Sequence, residues 1–452
     1  MTSTADLRRT TTDAAPPRET TWTALRPLVL RLHFYAGILI APFLLVAAAT
    51  GLLYAASYQL ENLVYQHELT TRPVGAPLPL ARQITAAQTA QPKGTITAVR
   101  PAAEPGATTR VLMDTPGLPE STQLAVFVDP YTAEVRGALE SYGSSGALPL
   151  RTWLSGLHRN LKLGEPGRIY SELAASWLWV VALGGVTLWL ARRRRSRRLR
   201  GASGPRRTLS WHGSIGLWAV LGLLFLSATG LTWSKYAGEN VDQLRAAFGW
   251  TTPKLTASAG DHAAHSGGGH HAAGPAADID QIVTAASARG LSGPLEVTWP
   301  AEPGAPYLVK EIDKTAPTRL DQVAVDPATA QVTGELRFAD HPLAAKLTRW
   351  GIDAHMGLLF GLANQIVLAA LAIGVITMIV LGYRMWWQRR PTRGFGRPYP
   401  RGGWRRVPWP VLVLLVGVTV GVGYFLPLMG ISLAAFLVLD ALLGLRGRAS
   451  GG

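Results

Sequence analysis

Apolar positions along this chain cluster into long tracts separated by stretches of ordinary soluble patterning. Tracts over 30–54, 169–190, 215–233 and 358–382 are each near the ~20 residues that an α-helix needs to cross about 30 Å of hydrocarbon. A fifth tract, 411–445, is too long for one crossing, and Pro427 and Gly430 near its middle predict a hairpin of two spans. Six transmembrane helices follow. The first tract is too long for a secretory signal and is followed by no small-residue cleavage site, so it is expected to remain as a span.

The segments 55–170 and 235–353 read differently. In the first, 80–91 predicts a helix, and 96–101, 110–114 and 124–129 predict strands. In the second, 279–289 predicts a helix, followed by strands at 295–299, 307–312 and 322–326. Asp129 and Asp326, each followed by proline, predict turns whose Asp side chain caps the bend. Each segment is therefore expected to be a helix followed by a small antiparallel sheet.

Charge fixes the orientation. The chain carries a net charge of +16, and its excess sits in two short runs: nine arginines in 191–207 and eight in 384–406, with no acidic residue in either. Basic loops beside apolar spans mark the cytoplasmic side, so this placement argues against a nucleic-acid partner. The domain reading begins with a disordered cytoplasmic tail at 1–26, a span at 27–56, an outside domain at 57–168 and a span at 169–191. It continues with a basic loop at 192–208, a span at 209–234, a second outside domain at 235–355 and a span at 356–383. A basic loop at 384–407 and a C-terminal hairpin at 408–446 complete it. This is a polytopic α-helical membrane protein with two extracytoplasmic α/β domains, placed in the cell membrane with its N-terminus cytoplasmic and lipid as a partner. Cysteine is absent, so thiolate clusters, thiolate zinc and disulfides are excluded.

The two halves also match each other. Leu32, His33 and Gly37 with Ala49, Thr50 and Gly51 repeat, 179 positions on, as Trp211, His212 and Gly216 with Ala228, Thr229 and Gly230. A second series holds an offset of 197. Val128, Asp129, Pro130, Thr132 and Ala133 match Val325, Asp326, Pro327, Thr329 and Ala330; Trp153, His158, Gly164, Gly185 and Trp189 match Trp350, His355, Gly361, Gly382 and Trp386. The chain reads as a tandem duplication with the hairpin added.

Four of the ten histidines fall into repeat-related pairs. His33 precedes Thr50 by roughly 25 Å of helix, so His33 and His212 stand near the cytoplasmic ends of their spans, whereas His158 and His355 stand at the outer face. Polar side chains at membrane depth need a partner or a cofactor. Each histidine could bond a neighbouring helix or a lipid headgroup. Two pseudo-symmetric pairs on opposite faces favour axial ligation of two b-type haems, His33 with His212 and His158 with His355. The second ring nitrogen of each is then expected to meet a backbone carbonyl or a carboxylate. His67 and His341 have no repeat partner and are expected to be dispensable. Between the halves, His262, His265, His270 and His271 in a Gly-rich insertion at 261–271 form either a Cu²⁺, Ni²⁺ or Zn²⁺ site or a spacer.

These residues resemble the PepSY-associated transmembrane proteins, the iron-regulated family that includes siderophore reductases of the inner membrane. The likeness is carried by Arg31, Leu32 and His33 with Thr50 and Gly51, and by Trp211, His212 and Gly213 with Thr229 and Gly230. Leu157, His158 and Arg159 with the Gly164-to-Gly167 turn, both Val-Asp-Pro-x-Thr-Ala segments, and the Arg-Arg exits after Trp189 and Trp386 complete it. It covers about 28–390. It implies extracytoplasmic PepSY domains, haem b, and reduction of ferric siderophores. In one departure, the second half has Gly361 to Asn364 where the first has Gly164, Glu165, Pro166 and Gly167.

The function expected is haem-dependent electron transfer that reduces ferric iron or a ferric siderophore outside the membrane, in iron uptake. No strand–GxGxxG–helix unit is present for NADPH, so quinol or a partner reductase is the expected electron donor. A non-catalytic PepSY protein that regulates metal uptake or extracytoplasmic proteolysis is the alternative. A transporter is poorly supported, because the polar span residues Asn364 and Gln365 lie near the outer end.

Overall fold

The computed structural model describes residues 21–193, 204–253, 255, 278–300, 302, 304–389 and 402–449. The first 20 residues, the His-rich insertion and most of both Arg-rich loops lie outside the described residues. The chain opens with α1 (Thr21–Leu39) and α2 (Ala41–Val64), two parts of one bent rod. Hydrogen bonds from Ile40 N to Ala36 O and from Leu44 N to Ile40 O, at 2.9 and 3.0 Å, carry the helix through the bend. Pro42 lacks an N–H and so removes the donor that Ile38 O would receive. The Tyr383 hydroxyl supplies one instead, at 2.9 Å. The rod is longer than the 27–56 span expected, because apolarity ends before helicity does: Gln59 and Glu61 remain helical beyond the apolar tract.

After the short α3 (Gln66–Leu69) come α4 (Leu80–Ala90) and the strands β1 (Thr95–Arg100), β2 (Thr109–Asp114), β3 (Thr122–Val128) and β4 (Val135–Tyr142). α5 (Pro149–Asn160) leads into the long α6 (Glu165–Arg193), which α7 (Pro205–Leu231) follows. The order then recurs: α8 (Tyr236–Ala247), α9 (Ile279–Ala288), β5 (Leu295–Thr298), β6 (Tyr307–Glu311), β7 (Gln322–Val325) and β8 (Val332–Leu336). α10 (Leu343–His355) leads into the long α11 (Leu362–Arg389), and α12 (Trp409–Phe425) and α13 (Pro427–Ala449) end the chain. Among the described residues four helices, α2, α6, α7 and α11, are long and apolar enough to cross a membrane. The apolar parts of α12 and α13, Trp409–Phe425 and Pro427–Leu443, are shorter, at 17 residues each. They form the hairpin expected, and glycine lets them cross closely: a Cβ on Gly430 would lie 2.5 Å from Gly423 O. The hairpin docks on the bundle through an Arg31–Asp440 ion pair and a 2.9 Å bond from Trp177 Nε1 to Ser432 Oγ.

Each half contributes a helix and a four-stranded meander, one strand more than the pattern predicts. β4 and β8 escaped because their residues are mostly half-exposed and Gly137 and Gly334 interrupt them. The two domains expected to be separate are joined into one eight-stranded sheet of order β4-β3-β2-β1-β5-β6-β7-β8. At the seam β1 runs antiparallel to β5, with Ala98 opposite Thr298 and Val99 opposite Val297. Burial drives the join: α4 and α9 cover one shared core in which Val99, Val111, Val126, Val297, Val309 and Val323 are wholly enclosed. The opposite face packs Phe127 and Leu112 against Leu148, Tyr65 and Leu69, so it looks toward the helix bundle. Both Asp-Pro turns form: Asp129 accepts from Tyr131 N at 2.8 Å, and Asp326 accepts from Thr329 N at 2.8 Å.

The sheet returns to the bundle in the same way twice. α6 and α11 each begin directly after a left-handed glycine, Gly164 (φ 65°) and Gly361 (φ 56°). The different sequence after Gly361 therefore leaves the helix start at the equivalent position.

Candidate cofactor site

The structure brings His33 and His212 together. Their ring centroids are 6.4 Å apart with planes at 74°. His33, on α1, faces α6, where its Nδ1 lies 3.1 Å from Val181 O; His212, on α7, faces α11, with Nδ1 3.0 Å from Met378 O. The acceptors are themselves repeat-related. A carbonyl only accepts, so each Nδ1 carries the proton, and each neutral ring keeps its lone pair on Nε2. Glycine makes the approach possible: a Cβ on Gly185 would stand 3.3 Å from His33 Cε1, and one on Gly382 3.9 Å from His212 Cε1.

His158 and His355 sit at the sheet end of the bundle, each near the C-terminus of its helix. His158 Nδ1 lies 3.1 Å from Thr50 Oγ1, and His355 Nδ1 lies 2.6 Å from Thr229 Oγ1. Each threonine gives its one hydroxyl proton to the preceding turn, Thr50 to Val46 O and Thr229 to Phe225 O, both at 2.7 Å. Toward histidine each threonine therefore accepts, and the Nδ1–H tautomer is fixed here too. At His158 the Ala47 backbone carbonyl is also a partner, as expected, whereas at His355 the expected carbonyl or carboxylate is a threonine hydroxyl, because an i−4 back-bonded Thr presents an acceptor to the next helix. Gly51 and Gly230 lie beside the rings, as Gly185 and Gly382 do at the other end. Burial holds the His158 imidazole below its ordinary value. It pushes His355 down to about 3, and the nearby His158 adds to that. Both rings are thus neutral near pH 7. All four nevertheless stay half-buried rather than sealed.

Contacts that the sequence did not announce complete the sheet end of the bundle. Trp233 meets the His355 ring edge-on at 5.7 Å, and the Tyr58 hydroxyl donates to Met356 O at 2.8 Å, tying α2 of one half to the residue after His355 in the other. Only an alignment of spans against each other would have exposed that tie. His67 and His341 stand apart from both pairs: His67 takes a hydrogen bond from Arg136 in the sheet domain, and His341 packs on Phe338 at 5.2 Å. His262, His265, His270 and His271 lie outside the described residues. Among the described residues no group of three or more His, Cys, Asp or Glu side chains gathers as a metal site.

The basic helix ends collect at the other side of the bundle, where Arg192 feels the charges of Arg206 and Arg389. Residues 30–389 match the family model described as the PepSY-associated TM region. No curated protein matches the chain.

Proposed function

The chain belongs to the PepSY-associated transmembrane family, and from that premise we propose that it is a haem-containing electron-transfer protein that reduces ferric iron or a ferric siderophore outside the cell membrane. One observation carries the reading: four histidines, in two pairs, each place Nδ1 against a protein acceptor and, among the described residues, make no hydrogen bond through Nε2. That is the form in which imidazole ligates iron, with its orientation held from behind. The His33 and His212 rings, with centroids 6.4 Å apart, are near enough that both could serve one metal held between them. His33 and His212 would hold one haem b, and His158 and His355 the other. Haem b, when bound, supplies one-electron exchange at a potential set by its ligands and surroundings.

The protein's own part is positional. Val181 O, Met378 O, Thr50 and Thr229 fix the four rings, and the glycines beside them leave space that a side chain would fill. The apolar helices keep water from the path between the pairs. Electrons enter from quinol or a partner reductase on the cytoplasmic side, the side of the Arg-rich loops. Reduction loosens a hard-oxygen chelate, because Fe²⁺ holds such ligands less tightly, which suits a role in iron uptake. We read the two halves as tandem copies, a view supported by the matching element order and by the repeat-related acceptors at each histidine.

The test is an absorption spectrum of the purified wild type with two variants. The wild type is expected to contain two haems, His212→Ala to lose one, and His355→Ala to lose the other, with ferric-chelate reduction failing in both. Both haems retained in either variant overturns the pairing. A colourless wild type overturns the reductase reading and leaves a non-catalytic accessory or regulator.

A further inference from the structure

The two halves part company at the sheet end of their first spans. α2 runs on to Val64, well beyond Thr50, whereas α7 stops at Leu231, just after the equivalent Thr229. The chain then turns and starts α8. Buried Glu172, on α6, fixes the turn by accepting from Tyr236 N and Ala237 N at 2.9 Å each, which caps the first turn of α8. Gly238 lets α8 press on the end of α7, because a Cβ there would lie 3.2 Å from Thr232 O. One turn further, Asn240 Nδ2 donates to Phe425 O at 3.0 Å, where α12 ends and the hairpin turns. α8 thus runs from the end of one span to the turn between two others, along the end of the bundle.

Its sequence is patterned for that position. Ala237, Val241, Leu244 and Phe248 recur at i, i+4, i+7 and i+11 and form one stripe, with Glu239, Asp242 and Gln243 on the opposite side. The stripe begins in the bundle, where Ala237 shares a core with Leu426 and Met429. It then leaves the bundle: Val241 is half-buried, and Leu244 and Phe248 are exposed. Trp250 stacks on Phe248, with ring centroids 4.9 Å apart and planes at 22°, yet the pair stays open, Phe248 at 61% and Trp250 at 42% exposure. The neighbouring hairpin shows what meets this surface. Val416, Val420 and Tyr424 on α12 are exposed along an apolar helix right up to the turn that Asn240 holds. Apolar side chains left bare at that level face hydrocarbon, and aromatic rings favour the border between hydrocarbon and headgroups.

We infer that α8 is an interfacial helix that inserts Leu244, Phe248 and Trp250 into the membrane leaflet on the sheet side, with lipid as the partner of this surface. Trp233, which meets the His355 ring, stands in the turn between α7 and α8, so the anchor also sets the level of that ring against the lipid. The chain has no cysteine, so a single introduced thiol can be labelled alone. The test places a nitroxide on Leu244→Cys, Phe248→Cys or Gln243→Cys in the full chain, in nanodiscs of phosphatidylcholine and phosphatidylglycerol. Power saturation then compares relaxation by oxygen, which concentrates in lipid, with relaxation by a water-soluble nickel chelate. At 244 and 248 oxygen is expected to exceed the chelate by about threefold or more, with the order reversed at 243. Adding Phe248→Ser and Trp250→Ser to the Leu244→Cys chain should raise chelate access at 244 by about threefold. These side chains are exposed, so the variants are expected to fold, and a single symmetric gel-filtration peak checks that they do. A label at 248 that the chelate reaches as readily as at 243 places the surface in water and overturns the inference. A label there that neither reagent reaches means that protein covers the stripe, which overturns it equally. Unchanged chelate access at 244 in the doubly substituted chain overturns the anchoring role of the two rings.

Discussion

Thr229 donates its hydroxyl proton to Phe225 O, so toward His355 it can act only as an acceptor. That single constraint fixes the tautomer of a residue on another helix. Thr229→Val keeps the shape and removes the acceptor. On the proposed reading it should weaken haem retention at the outer pair by about 10–100-fold, with the inner pair unaffected and Thr229→Ser close to wild type. Haem content after dilution and gel filtration measures this, and an unchanged outer haem in Thr229→Val would mean that the hydroxyl does not hold the ligand. The histidines themselves were legible, because a repeat at fixed offset singles out four of ten. Their partners were not. Thr50 and Thr229 stood in the sequence only as small residues beside glycine, since spacing along one helix says nothing about which neighbour its back-bonded side chain faces.

Helices and strands show the same divide between pattern and partner. The apolar tracts located α6, α7 and α11 and the α12–α13 hairpin, while the bend between α1 and α2 went unread although Pro42 was in plain view. Its repair comes from Tyr383, some 345 positions away. Tyr383→Phe leaves Ile38 O without a donor and should cost about 1 kcal/mol, seen as a lower thermal midpoint of the detergent-solubilised protein. Adding Pro42→Ala returns an N–H to Ile38 O, so the double variant should recover most of the loss. A double variant no better than Tyr383→Phe alone would sink this account. β4 and β8 were missed for a related reason: edge strands that are half-exposed and carry glycine lack the alternation that announces a strand.

At the scale of the whole molecule, the sheet is the feature least visible beforehand. Each meander was foreseen in part, but nothing local marks β1 and β5 as partners, because pairing across a seam depends on where the bundle delivers the two edges. All four passages between bundle and sheet lie at one end, which requires both sheet halves on the same side of the membrane. Reporter fusions after Arg200 and after Pro253 should therefore report opposite compartments, cytoplasmic and external in that order; equal signals would refute the topology. The seam has a further consequence. β1 and β5 meet antiparallel through near-equivalent positions, Val99 opposite Val297, with strands fanning out identically on either side. That is the self-complementary contact of a twofold-symmetric dimer. If the halves are copies, a gene half as long would have needed only a second molecule of its own product to assemble both histidine pairs, one ligand of each from either subunit. On that same condition, fusion would have freed each half to diverge, and the buried Glu61–Arg151 ion pair is a case in point: its counterparts at the repeat offsets are the uncharged Asn240 and Thr348.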